Sequence, residues 1–167
     1  MTTVAIVSDT HVSSRAGAVP EWVREAVASA DRAIHAGDFD SRDAYEALRD
    51  LAGGDLVAVR GNMDPLDLDL PETASLTVEG VEFVVTHGDG HTGSYHDRVL
   101  ETVGREADEP DSAVGVSGHT HEQLDEVVDG TRLLNPGSAT GAAPASSASM
   151  LVAEVADGEL SVEVLER

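Results

Sequence analysis

The stretch Thr3-Val4-Ala5-Ile6-Val7-Ser8-Asp9-Thr10-His11 (TVAIVSDTH) passes without a break from an apolar run to a carboxylate and an imidazole. A run of this kind predicts a short buried strand, Thr3–Ser8, with Asp9 and His11 at its carboxyl end. The same pattern returns four times: Gly37-Asp38 follows a strand near Arg32–Ala36, and Gly61-Asn62-Met63-Asp64 follows Asp55–Arg60. His87-Gly88 follows Val81–Thr86, and Gly118-His119-Thr120-His121 follows Ala113–Ser117. In α/β sheets ligands bind outside the carboxyl ends of strands, so five segments distant in sequence are expected to meet at one crevice.

Between the first strands, Val19–Ala30 carries Pro20 at its first turn and Val23, Ala26, Val27 and Ala30 at helical spacing. Asp40 or Ser41 can cap a second helix that runs to about Leu51 and stops at Gly53-Gly54. This β-α-β-α-β opening implies parallel strands joined by right-handed crossovers. Ser75–Glu79 and Val81–Thr86 then read as a hairpin, and Ser94–Ala107 as a helix with Tyr95, Val99 and Val103 on one stripe. Asp129-Gly130 and Asp157-Gly158 mark two further hairpins, so the second half is expected to be mainly antiparallel. Ala139–Ser149 (ATGAAPASSAS) lacks either period and is expected to be an irregular loop. There is no internal repeat, and one domain spanning 1–167 is expected.

The chain has 32 Asp and Glu against 10 basic residues, all of them Arg, for a net charge of -22. With 41% apolar residues, this is read as an acidic shell around a folded core. Self-repulsion of that size is screened within about 3 Å at ~1 M salt, which predicts the cytoplasm of a halophile. The same charge counts against nucleic acid and anionic membranes as partners, since phosphate backbones are bound by Lys and Arg. There is no Cys, which excludes disulfides and thiolate metal sites. The apolar run at the N-terminus is too short for a signal peptide and no window approaches a membrane span, so a cytoplasmic protein is expected. Homo-oligomerisation is left open.

Asp9, His11, Asp38, Asn62, His87, His119 and His121 form a divalent-metal donor set without sulfur. They are more than one tetrahedral ion needs, and they suit two ions roughly 3.5–4 Å apart. Asp9-x-His11 and His119-x-His121 would present alternate side chains on one side of an extended segment. His35, inside a strand, is read as structural, and His96 lies in a helix without a partner motif.

The order of these motifs, with D-x-H, G-D, G-N, H-G and G-H-x-H in sequence, resembles that of the calcineurin-like metallophosphoesterase superfamily. Length and the later Leu134-Asn135-Pro136-Gly137-Ser138 make the chain most similar to the short bacterial and archaeal phosphodiesterases, here from a halophilic archaeon. The resemblance implies an α/β fold, a four-layer α/β/β/α sandwich of two mixed sheets. It also implies that Asp9, His11, Asp38 and His121 hold one metal, and Asp38, Asn62, His87 and His119 the other. A water between the ions would lose a proton near neutral pH and attack the phosphorus of a small phosphodiester. Such O/N ligands admit Mn²⁺, Fe²⁺, Co²⁺, Ni²⁺ or Zn²⁺, with Mn²⁺ favoured.

Three departures from the family pattern matter. Met63 stands where many members have a His beside the Asn, and a thioether cannot protonate a leaving alkoxide; His91 is the expected substitute. The fourth motif is lengthened to His87-Gly88-Asp89-Gly90-His91, and Pro144 is followed by Ala145 where the branch has Pro-Arg. Asp64 is expected to orient a metal ligand rather than only to cap the turn before Pro65. The alternatives are a non-catalytic interaction scaffold on this fold, a phosphomonoesterase or protein phosphatase, and a nuclease. The nuclease is disfavoured by the short chain and its charge.

Overall fold

A computed structural model describes residues 1–167. In chain order the elements are β1 (Thr2–Val7), α1 (Glu21–Ser29), β2 (Arg32–His35), α2 (Arg42–Leu51), β3 (Leu56–Ala58), β4 (Thr73–Val78) and β5 (Val81–Thr86). They continue with α3 (Tyr95–Glu106), β6 (Val114–Val116), β7 (Gln123–Val128), β8 (Thr131–Pro136), β9 (Ser149–Ala156) and β10 (Glu159–Glu166). The strands form two five-stranded mixed sheets, ordered β10-β9-β1-β2-β3 and β4-β5-β6-β8-β7.

Burial on both faces explains the unbroken apolar strands. Val4 and Ile6 of β1 point into the space between the sheets, where they meet Ile34, Phe83, Val85 and Leu134. Their neighbours Ala5 and Val7 face the other way and pack with Val23 and Val27 of α1 and Leu48 of α2. On the far side, Val99 and Val103 of α3 cover Val84 and Leu133. The layers are therefore helix, sheet, sheet, helix, the architecture that the family resemblance implies.

Local chemistry sets the element ends. Ser41 caps α2 by accepting from the Ala44 N–H, and Ser94 and Asp97 form a capping box on α3. Glu79-Gly80, Asp129-Gly130 and Asp157-Gly158 all have consecutive positive φ, as tight hairpin turns with the twist of the strands require. No helix is long and apolar enough to cross a membrane.

Two features of the strand pairing lie outside what the sequence predicts. The second half is mainly antiparallel, as expected, through β4–β5, β7–β8 and β9–β10, but β6 lies parallel to both β5 and β8. The last hairpin returns to the first sheet, where β9 pairs antiparallel with β1, with Ile6 opposite Leu151. Hairpin signals report only the pairing of two consecutive strands. The segment before Ser149 carries the chain from β8 in one sheet to β9 in the other.

Candidate metal centre

Each polar cluster emerges from the carboxyl end of a strand: Asp9 and His11 after β1, Asp38 after β2, Asn62 and Asp64 after β3, His87 after β5, and His119 and His121 after β6. The loops are tied at the rim by backbone bonds, Asp9 N–H to Gly37 O at 3.0 Å and Gly118 N–H to His87 O at 3.1 Å. The second of these links β5 to β6. Tyr95, Asn135 and the β8 end brace the same loop.

At the centre, Asp9 Oδ1 is buried and has no hydrogen-bond partner. It lies 3.2 Å from His121 Nε2, 3.8 Å from His11 Nε2 and 3.9 Å from His87 Nε2. Asp38 Oδ2 is 3.2 Å from His87 Nε2 and 3.5 Å from His11 Nε2. The Nε2 atoms of His11 and His121 are only 3.3 Å apart. Each of these three rings has its other nitrogen engaged: Nδ1–H donates to Asp40 from His11 at 2.8 Å, to Ala36 O from His87 at 2.7 Å, and to Ala142 O from His121 at 2.8 Å. The tautomer this sets turns three Nε2 lone pairs towards two carboxylates. Such a concentration of electron-rich atoms in a buried space fits a cation, and the donor set fits two divalent ions.

Beside this buried group, Asn62 Oδ1 lies 3.0 Å from His87 Nε2 and 3.1 Å from His119 Nδ1. Asn62 is exposed and His119 half-buried, whereas Asp9, His11 and His121 are buried. The centre is therefore closed on the β1 side and open to solvent on the Asn62 side.

Asp64 makes the support. One oxygen accepts from the Phe39 and Asp40 N–H groups at 2.7 and 2.9 Å, the other from the Asp38 and Gly61 N–H groups at 2.9 and 2.8 Å. The carboxylate thus pins the turn carrying Asp38 to the turn carrying Asn62, without touching the centre itself. Met63 adds a bond from its backbone N–H to Asp38 Oδ1 at 2.8 Å, while its side chain is half-exposed. Asp38, Asp40 and Asp64 lie close enough together to suggest a third ion site, but the Asp64 oxygens are already committed to N–H groups and Asp40 to His11.

The role of two glycines is close approach rather than an unusual φ. A Cβ at Gly61 would overlap the Asp38 carboxylate, and one at Gly118 would overlap Ser8 and Asp9. The unusual backbone lies instead at the polar residues: Asp9, His11, Asp38, His119 and His121 all have φ between 41 and 69°. The D-x-H and H-x-H pairs consequently converge through left-handed backbone, not through the extended segment expected from sequence. Strain of this kind persists where surrounding contacts hold it.

Those contacts include residues that the motifs alone do not single out. Asn135 Nδ2 donates to Gly118 O, Thr120 Oγ1 and Tyr95 OH at 2.9, 3.0 and 2.9 Å, and Ser138 Oγ donates to Asp9 O at 2.7 Å. The Leu134–Ser138 motif therefore props both the Asp9 turn and the His119 turn. Asp40, expected from the sequence only as a candidate helix cap, instead accepts from His11 Nδ1–H, and Ser41 caps α2. His35 is buried, bonded to Thr10 Oγ1 and the Gly37 N–H and stacked on Phe39, in keeping with a structural role. His96, partly exposed, pairs with Glu126. His91 is exposed and makes none of the contacts of the centre.

In the metal-free chain protons balance these charges. Burial would lower the pKa of His87, but the Asp38 hydrogen bond and the Asp9 and Asp38 charges outweigh it and raise it to about 9. Burial would raise Asp9, yet the imidazoles of His11 and His121, the His87 charge and the Ser8 hydroxyl hold it well below the carboxylate range. Burial and the His87 charge push His119 down.

Two outcomes are expected. A histidine raised above its unfolded value of 6.5 contributes stability that is complete below that value and lost as pH climbs through about 9. The melting temperature of the EDTA-treated protein should therefore fall between those limits, measured at constant salt, and a flat or rising profile would contradict the proton's role. In Asp64→Asn the amide NH₂ faces N–H donors, so affinity for Mn²⁺ by calorimetry should drop by about 10–100-fold; a change within twofold would count against the clamp.

The model of the calcineurin-like phosphoesterase superfamily domain matches residues 2–158. A probable metallophosphoesterase of Methanocaldococcus jannaschii is 35% identical over 137 residues, covering 82% of this chain and 68% of the relative. A phosphodiesterase of the same archaeon is 28% identical over 156 residues, covering 83% of this chain and 84% of its own. Among solved structures, wild-type Vps29 of Entamoeba histolytica complexed with zinc superposes with a TM-score of 0.73 at 25% identity, covering 98% of each chain. The chain belongs to the calcineurin-like phosphoesterase superfamily.

Proposed function

We propose that the protein is a two-metal phosphodiesterase acting on small phosphodiesters. The observation that carries this reading is the inward set of three Nε2 atoms and two carboxylates, each ring held by its other nitrogen. In this reading Asp9, His11, Asp38 and His121 would hold one ion and Asp38, Asn62, His87 and His119 the other, with Asp38 common to both sets. When bound, such ions would lower the pKa of a coordinated water and offset the charge gained by the phosphoryl oxygens. The chain's own residues fix the donors: Asp64 locates Asp38 and Asn62, Asp40 orients His11, and the open Asn62 side admits the substrate. The phosphodiesterase among the relatives supports a diester substrate.

Mn²⁺ is the proposed metal, given an all-O/N donor set. The acidic composition supports a halophilic cytoplasm as the setting, in which case activity should be retained at molar salt and lost in dilute buffer. The likeness to Vps29 favours one rival, a protein-interaction scaffold. A chain that binds Mn²⁺ yet turns over no phosphoester at molar salt would favour that rival.

This reading assigns no general acid at the centre, since Met63 has no proton to give and the His91 side chain is exposed. In a series of aryl and alkyl diesters, the rate should fall steeply as leaving-group pKa rises. His91→Ala should leave that dependence unchanged and poor substrates within about twofold, whereas loss of a general acid would cost ~10²-fold or more on them. A slope that steepens in His91→Ala would restore His91 as the acid.

A further inference from the structure

The open side of the centre leads into a cavity of about 470 Å³ that begins at Asn62, within the range of about 300–1,000 Å³ usual for small-molecule sites. A slightly larger cavity of about 520 Å³, between the loop after β1 and helices α1 and α2, is mainly apolar and includes none of the metal-centre residues. The cavity at Asn62 is built differently. Its walls carry two guanidinium groups, Arg60 and Arg105, and two carboxylates, Glu72 and Asp89. Three hydroxyls, from Thr73, Thr86 and Thr102, lie between them, and Leu66 is the only apolar side chain. No aromatic ring lines it.

The elements explain the arrangement. Thr73 and Thr86 are register partners at one end of the β4–β5 hairpin. Thr102 and Arg105 are three residues apart on one face of α3. Asp89, from the lengthened His87-Gly88-Asp89-Gly90-His91 motif, is exposed at the mouth, and its charge acts on His119. Arg60 pairs with Glu72 at 2.7 Å, and the Glu72 side chain is 80% exposed. Such an exposed pair exchanges partners readily.

The donor and acceptor balance selects the ligand. Asp64 apart, because its oxygens are committed to the backbone, the lining carries two positive and two negative groups, and Arg105 is further paired through Nε with Glu106 at 2.7 Å, which disfavours a second anion. Without a ring there is nothing on which a nucleobase or aryl group could stack. Closely spaced donors, acceptors and hydroxyls match a molecule in which every oxygen both donates and accepts. Resting on the phosphodiesterase reading above, we propose that this cavity receives the alcohol arm of the substrate and that the arm is a neutral polyol, such as glycerol or a monosaccharide.

The test compares kcat/KM for bis-glycerol phosphate with that for bis(p-nitrophenyl) phosphate and a nucleoside p-nitrophenyl diester, using the Mn²⁺-loaded full chain at molar salt. It adds the affinity of a non-hydrolysable glycerol methylphosphonate ester measured by calorimetry. Arg105→Met and Thr86→Val each remove polar groups from the wall, and Arg105 is exposed, so folding should survive its loss. The polyol-to-aryl ratio and the phosphonate affinity should both fall, by about tenfold in Arg105→Met and less in Thr86→Val. If the protein hydrolyses aryl diesters but neither variant moves the ratio or the affinity, or if the nucleoside diester is preferred to the polyol, the cavity assignment is wrong while the phosphodiesterase reading stands. If no diester of any class is hydrolysed, both fall together.

Discussion

Asp64 sits beneath two strand-end turns with both carboxylate oxygens committed to backbone N–H groups, four in all. Without it, the N–H groups of Asp38, Phe39, Asp40 and Gly61 would converge on a buried space with no acceptor, which is costly for backbone groups away from water. With it, Asp38 is held in left-handed backbone at φ 65°, and its carboxylate lies against Gly61, where only a missing Cβ permits the approach. Because Asp38 also faces His11 and His87, the position of one acid propagates across both halves of the centre. Met63 shares in this through its N–H, which explains how a residue with no acid–base chemistry can occupy that position without disturbing the geometry.

The centre gathers buried negative charge in a chain that already carries -22. In the absence of a cation, protonation of His87 offsets part of that charge. Metal binding at this centre is then an exchange of protons for ions. The acidic surface raises the local concentration of cations and is itself screened by salt. The same logic extends to the cavity at Asn62, where basic and acidic side chains balance rather than accumulate.

The convergence of five strand-end clusters was legible because β1, β2, β3, β5 and β6 each end in a polar motif directly after an apolar run, and parallel strands place those ends on one rim. Asp9, His11, Asp38, His87 and His121 meet there, with Asn62 and His119 on the open side. The sheet membership of β9 was not legible: Asp157-Gly158 specifies a hairpin, but the partner of that hairpin is chosen by the inter-sheet core that Leu151, Ala153 and Val155 complete. Parallel pairing of β6 with β8 was hidden for a similar reason, since β7 intervenes in sequence and flanks β8 in space. Among the supporting residues, Asp64 could be read from its place beside Asn62. Asn135 and Ser138 act across long sequence separations on Gly118 and Asp9, contacts that no local pattern encodes. His91, by contrast, looked suited to proton transfer by position in its motif, and the two-residue lengthening leaves it in solvent.

The central claim is that Asp38, fixed by the Asp64 clamp, is shared by two ions. Anomalous diffraction at the manganese edge, from crystals grown with Mn²⁺ at molar salt, tests it most directly. The account predicts two peaks roughly 3.5–4 Å apart, one beside Asp9, His11 and His121, the other beside Asn62, His87 and His119, with the Asp38 carboxylate between them. No peak at this centre, or a single ion held without Asp38, would contradict it.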